Sequence, residues 1–337
     1  MLPLLSSQEI HKLATGEQFK GIFVVKALIP KTDKNGHRYY EMSVIDAHGS
    51  IEAKIWSDAV WFDRSDDKND LPESAEKLSE DKLPYLTGKT VGINGKTADY
   101  RGQQQYNFNK ITLLDQSKFL PSLYMPHSPI DIEVMETRFN GLVDGCRNQI
   151  ADFLRFVFKD EFYTKFRDWP AAVNNHHAYA GGLMEHTLSV ADCAKSSAGA
   201  LVRSGYDVDI DIVVAGALLH DIGKMESYKI DSVPEITLQG AVVDHVALGY
   251  AMFLKLADKA NIDQKLKLEL AHIILSHHGI REYGSPVVPA TPEAMIVASA
   301  DELDFRMFCW NDSIKELKDD ENISAWNNAT QRRFWNR

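Results

Sequence analysis

Histidines and aspartates recur through the second half of the chain at positions that suit metal chemistry. They are His186 in GGLMEHTLSVA, His220-Asp221 in ALLHDIGK, His245 in VDHVALG, His277-His278 in LSHHG and Asp301 in ASADELD. Imidazole nitrogens and carboxylate oxygens are ligands for borderline divalent cations. No cysteine takes part, which excludes a Cys-rich structural zinc site. A single histidine among the 12 is more often a surface or hydrogen-bonded group than a ligand. The ordered run H…HD…H…HH…D, each member in an apolar helical context, is what points to a metal site. Neighbouring residues on a helix point about 100° apart, so His220 and Asp221 reach one centre only near a helix end. Gly223 is read as the residue that relaxes the backbone there. Apolar residues precede the ligand candidates (Ala217-Leu218-Leu219 and Ile273-Ile274-Leu275), which puts the polar groups at the edge of a helical bundle.

The elements that must position these residues are helical. From about Asp131 onward, apolar residues repeat at three-and-four spacing. The segments are 132–158, 184–201, 211–225, 241–260, 264–278 and 293–310. The ligand candidates fall at the ends of these predicted helices. The pattern before residue 120 is different. FKGIFVVKALIP is rich in β-branched and aromatic residues and ends at a proline. Asn35-Gly36 is a hairpin signal. RYYEMSVIDA partly alternates, and SIEAKIW sets Ile51, Ala53 and Ile55 on one side. KTVGINGKTADY and QQYNFNKITLL follow, with Arg101-Gly102 as the turn between them. Five strands are expected. The acidic, lysine-containing stretch 58–82 is helix-permissive, and Pro121, Pro126 and Pro129 mark a linker.

The chain therefore divides into a β domain (1–120), a linker (121–130), a helical domain (131–318) and a polar tail (319–337) that docks on a core or a partner. With 337 residues, 44% of them hydrophobic, there is material for two cores. No run reaches the ~20 apolar residues of a membrane span. The N-terminus lacks a basic region followed by a cleavage site. Three cysteines without a C-x-x-C pair suit a reducing compartment, so a cytoplasmic protein is expected. Residues 1–120 carry 16 Lys/Arg and 17 Asp/Glu, which leaves −10 of the net −11 on the remainder. A near-neutral first domain with local basic clusters tolerates a nucleic-acid ligand, and surplus carboxylates in the second fit a cation site.

The strand segments resemble an OB-fold of the kind that binds single strands, which combines strand-borne aromatics with a basic groove. Stretch 58–82 lies where OB-folds commonly insert a helix or long loop. Tyr39, Tyr40, Trp56, Tyr100 and Tyr106 are the stacking candidates. Lys26, Arg38, Lys54, Lys96 and Arg101 are the phosphate candidates. Because alternation buries half of any strand, each aromatic alone is more often structural.

The histidine and aspartate set is similar to the HD superfamily of metal-dependent phosphohydrolases over about residues 175–305. That resemblance implies two metals bridged by Asp221. His186, His220 and Asp301 complete one site, and His245, His277 and His278 complete the other. Such a pair suits phosphodiester hydrolysis. Lys224 would then lie near the phosphate as a positive charge, and His177 would contact substrate or supply a proton. The plainer readings are a solvated helix-end lysine and a loop hydrogen bond. An OB-fold joined to an HD domain, together with LSHHG and GSPVVPATPEA, resembles the YhaM-type 3′–5′ exoribonuclease family over roughly 15–310. The implied substrate is single-stranded RNA, with single-stranded DNA as a second candidate, and the implied cofactor is a pair of divalent ions. Manganese comes first, ahead of cobalt, iron, nickel and magnesium. Self-association is left open. Two alternatives stand beside this reading: an HD nucleotide phosphohydrolase acting on free nucleotides, and a non-catalytic nucleic-acid-binding protein. A cyclic-dinucleotide phosphodiesterase is disfavoured, because HHGIREYGSP lacks a Gly-Tyr-Pro run.

Overall fold

The computed structural model describes residues 2–65, 76–100, 102–173, 177–230, 234–315, 317 and 321–337. After a short helix α1 (Ser7–His11), the first domain is built from β1 (Gln18–Thr32), β2 (Arg38–Asp46), β3 (Gly49–Ile55), β4 (Val60–Asp63), β5 (Glu76–Lys77), β6 (Thr90–Tyr100) and β7 (Gln103–Leu113). β1 pairs antiparallel with β2 and β6, β2 with β3, and β6 with β7. A parallel contact of β3 with β7, at Ala53 and Tyr106, closes the sheet on itself. The closed order β1-β2-β3-β7-β6-β1 is OB topology.

The five expected strands are all present, and Ile51, Ala53 and Ile55 face a shared core with Phe19, Phe23 and Phe108. Pro30 does not end β1. It lies where β1 has a neighbour on one side only, so its missing N–H is tolerated. The insertion is not simply helical. Val60–Asp63 adds a parallel strand beside β7 and pairs with β5, and among the described residues of the insertion only Glu80–Tyr85 forms a 3-10 turn. Val60, Trp61 and Phe62 are aromatic and β-branched, which outweighs the charged residues around them.

The second domain holds α2 (Ile132–Asp144), α3 (Asn148–Val157), α4 (Asp160–Asp168), α5 (Gly182–Arg203), α6 (Ile210–Leu219), α7 (Lys224–Ser227), a hairpin of β8 (Tyr228–Ile230) and β9 (Pro234–Ile236), α8 (Leu238–Val243), α9 (His245–Ala260), α10 (Gln264–Ser276) and α11 (Pro292–Lys315). α6 is apolar all round and buried from Ile212 to Leu219, as a central helix must be. It packs against α5, α10 and α11. Segment 132–158 breaks into α2 and α3 at Gly145, and segment 241–260 breaks into α8 and α9 at Asp244, whose φ is +73°. Ser128 and Ile130, within the expected linker, dock on this domain: Ser128 N–H donates to Ala180 O at 3.0 Å, and Ile130 packs on the core. Among the described residues, no helix is long and apolar enough to cross a membrane.

Candidate metal centre

His220 caps the C-terminus of α6, and Asp221 follows in the turn before α7. His277 caps α10, and His245 opens α9 behind Asp244. Two members depart from the expected helix ends. His186 lies one turn inside α5, and Asp301 is mid-helix on α11. Gly223 also serves a different purpose from the one expected. Its backbone is ordinary αR. A Cβ there would lie 2.0 Å from His245 O and 2.4 Å from Gly249 N, so glycine permits α9 to approach the His-Asp turn. Gly223→Ala is expected to push the start of α9 and His245 outward. Bound metal should fall well below the wild-type amount by elemental analysis, and the melting temperature should drop by several degrees.

The side chains converge. His186 Nε2 lies 3.2 Å from His220 Nε2, 3.1 Å from Asp221 Oδ2 and 3.3 Å from Asp301 Oδ1. His245 Nε2 lies 3.2 Å from His278 Nε2 and 3.5 Å from Asp221 Oδ1, and His277 Nε2 lies 3.6 Å from that same oxygen. The two oxygens of Asp221 thus face two separate groups of imidazoles. Candidate ligand atoms of His186, His220 and Asp301 fall within 4.8 Å of one another, as do those of His245, His277 and His278.

Each ring is held so that Nε2 points inward. His220 Nδ1 donates to Ala217 O at 2.6 Å, His277 Nδ1 to Ile274 O at 2.7 Å, and His278 Nδ1 to Tyr283 O at 2.7 Å. A carbonyl only accepts, so Nδ1 carries the proton and Nε2 of the neutral ring keeps its lone pair. His186 Nδ1 meets Asp304 Oδ2 at 2.8 Å, and His245 Nδ1 meets Asp244. Histidines that bind metals are pinned in this way. Asp221 Oδ1 and His277 Nε2 are buried without a hydrogen-bond partner. Buried orphans of this kind demand explanation, and a divalent cation would satisfy both. The residues therefore fit a metal.

The electrostatics agree. Burial alone would raise the carboxyl of Asp221, but Lys224 and His220 beside it hold it well below the usual carboxylate range. Burial, together with the neighbouring His278 and His220, pushes His277 well below the ordinary histidine value, which keeps it neutral. Burial and His245 lower His278 likewise.

Lys224 is buried, with its Nζ 2.6 Å from Asp221 Oδ2, and is not a solvated helix-end lysine. It lines a cavity of about 510 Å³ together with His277, His278 and Asp301. Of the two readings of His177, the hydrogen-bonded one describes its setting. It is 5% exposed, and its ring nitrogens engage Tyr179 OH at 2.8 Å and Asp304 Oδ2 at 3.2 Å. It buttresses His186 through Asp304 and does not line the cavity. Asp304, Asp244 and the carbonyl of Tyr283 were missed from the sequence. Asp304 was within reach, because it follows Asp301 by three residues on one helix and so shares its face. Asp304→Asn is expected to lower metal affinity about 10- to 100-fold, read as metal retained after dialysis.

On the barrel, Tyr39 stacks on Trp56 with ring centroids 5.1 Å apart. The Nε1 of Trp56 donates to Asn107 Oδ1 at 3.0 Å, and Lys54 Nζ is 6.0 Å from the indole centroid. Trp56 remains 41% exposed. Tyr100, Arg38 and Lys96 are also exposed, and Lys26 is half-buried, its ammonium pKa lowered by burial. Tyr106 and Tyr40 are not free platforms. Tyr106 is in the core, edge-on to Phe19, with its hydroxyl 2.7 Å from His11 Nδ1. Tyr40 packs edge-on to Trp61. Their alternation directs both rings towards the barrel interior. Arg101 lies outside the described residues.

Comparison with known proteins gives three results. The HD domain family profile matches residues 183–306. The chain is 28% identical over 312 residues to the 3′-5′ exoribonuclease YhaM of Bacillus velezensis, covering 91% of this chain and 90% of that protein. The second OB-fold domain of replication protein A from Methanococcus maripaludis aligns with 32% of the chain and 92% of its own length, at 15% identity and a TM-score of 0.20. The strand order, rather than that last likeness, carries the barrel assignment.

Proposed function

We propose that this chain is a metal-dependent 3′–5′ exoribonuclease of the YhaM type, shortening single-stranded RNA from its 3′ end. One observation carries the reading: Asp221 presents Oδ2 to His186 and His220 and Oδ1 to His245 and His277. A carboxylate so placed would be able to serve two cations at once. His186, His220 and Asp301 would complete one site, and His245, His277 and His278 the other. The match of an HD domain and the named activity of the B. velezensis relative, which is similar over nearly the whole length, support the same assignment. The nitrogen-rich donor set favours manganese, cobalt, iron or nickel over magnesium, which prefers oxygen. Manganese is our first choice.

When bound, the cations supply Lewis-acid activation of water and neutralisation of phosphate charge. The chain's own residues do the rest. Lys224 keeps a buried positive charge at the cavity wall, where it faces the phosphoryl oxygens of the substrate. Asp304 and His177 hold His186 in one tautomer and one orientation. On the barrel, Tyr39, Trp56 and Lys54 hold bases and backbone upstream of the cut. Cys146 and Cys309 are buried free thiols and Cys193 is also unpaired, in keeping with a reducing cytoplasm.

The test is direct. A 20-nucleotide RNA carrying a 5′ label should shorten stepwise in manganese, while a 3′ label is released at once as a mononucleotide. Internal cuts first, or hydrolysis of free nucleotides with intact oligomers, would refute the proposal.

A further inference from the structure

The C-terminal segment is unlike the domain it belongs to. Residues 322–337 contain Arg332, Arg333 and Arg337 and no Asp or Glu, although the whole chain carries −11. The segment folds as a hairpin. Ser324 N–H donates to Phe334 O at 2.9 Å, Asn327 N–H donates to Arg332 O at 2.8 Å, and Asn336 N–H donates to Asn322 O at 2.9 Å. Asn327 Oδ1 closes the turn by accepting from Thr330 N–H at 2.9 Å and from its hydroxyl at 3.0 Å. The hairpin is fixed to α11, which carries Asp301 and Asp304. Trp310 Nε1 donates to Trp335 O at 3.4 Å, and Asn327 Nδ2 donates to Ser313 Oγ at 3.1 Å. Its turn reaches the site already described: Thr330, Gln331 and Arg332 line the same 510 Å³ cavity as Lys224 and His278. That volume suits one nucleotide.

Among the described residues, Arg332 makes no ion pair, and its Nε donates only to Thr330 O within the turn at 3.2 Å. Its neighbouring arginines have partners. Arg306, also on the cavity wall, pairs with Glu302, Arg333 reaches Ser324 O, and Arg337 lies over Trp335. Trp326 and Trp335 are 52% and 61% exposed on the same hairpin. Exposed indoles on the same hairpin as an arginine that lines the cavity are the components of a single-strand binding surface.

We propose that the C-terminal hairpin is a substrate arm. Arg332 holds a backbone phosphate of the single strand at the mouth of the metal cavity, and Trp326 and Trp335 offer stacking faces to its bases. The inference rests on the phosphodiesterase reading, but it can be tested apart from it. A 5′-fluorescent RNA pentamer is titrated with the full-length protein and followed by anisotropy, and bound metal is quantified alongside. Arg332→Glu is expected to weaken binding about tenfold or more and Arg332→Lys to restore most of it. The slope of log affinity against log salt should become shallower by about 0.7. Unchanged affinity and salt slope in Arg332→Glu would overturn the proposal. So would loss of metal together with affinity, because the hairpin would then be only a structural cap. If the wild-type protein binds the pentamer through Arg332 but never shortens RNA, the arm stands and the exonuclease reading falls.

Discussion

Asp221→Asn is expected to abolish RNA shortening, with kcat reduced by about 10³-fold or more, and to lower the amount of metal bound per chain. The magnitude follows from Lewis-acid stabilisation worth several kcal/mol, at about 1.4 kcal/mol per tenfold in rate. Both oxygens of Asp221 face imidazole groups, and Asn keeps the shape while losing the charge that a bridge requires. The substitution has a second effect, on stability. Lys224 is buried 2.6 Å from Asp221 Oδ2, and removing one partner of a buried pair costs about 3–5 kcal/mol. A double variant, Asp221→Asn with Lys224→Met, should recover most of the lost melting temperature and none of the activity. That pattern separates the structural loss from the chemical one. A single variant with wild-type turnover at saturating manganese would remove the site from the mechanism.

The candidate ligands at the ends of α6 and α10 were legible in the sequence because helix ends are. A His-Asp pair after an apolar run, or a His-His pair before a glycine, can face one centre only where a helix stops, and α6 and α10 stop there. The barrel was legible through alternation and its turn residues. What escaped depends on partners that pattern does not carry. The carbonyl that orients His278 belongs to Tyr283, and any residue could supply it. The sequence left His177 open between a proton or substrate role and a plain hydrogen bond, because only packing shows that Asp304 joins it to His186. Gly223 reads as a flexible joint, but it is a contact with α9 from a distant part of the chain. β4 was obscured by the acidic residues around it, because its pairing with β7 is nonlocal. The arginines of the tail drew no attention, since nothing in their spacing reveals that a hairpin turn reaches the metal cavity.

The barrel's contribution should depend on strand length. Trp56→Ala is expected to raise KM for a 20-nucleotide RNA about 5- to 150-fold, the range of a lost base stack at ~1–3 kcal/mol, and to leave a dinucleotide unaffected. Trp56 is the best candidate platform because its geometry is already fixed. Asn107 holds the indole edge, Tyr39 covers one face, and 41% of the residue still meets solvent. Little ordering entropy remains to be lost on binding. Phosphate contacts cannot compensate for its loss. The first domain has only −1 net charge, and Glu41 and Glu52 line the barrel cavity beside Lys54. Affinity for the upstream strand must therefore come more from stacking than from charge, so the KM defect should persist at 0.3 M salt, where long-range attraction is screened. Equal losses on the long strand and the dinucleotide would mean that Trp56 acts by holding the barrel together, and the division of labour between barrel and metal centre would fail.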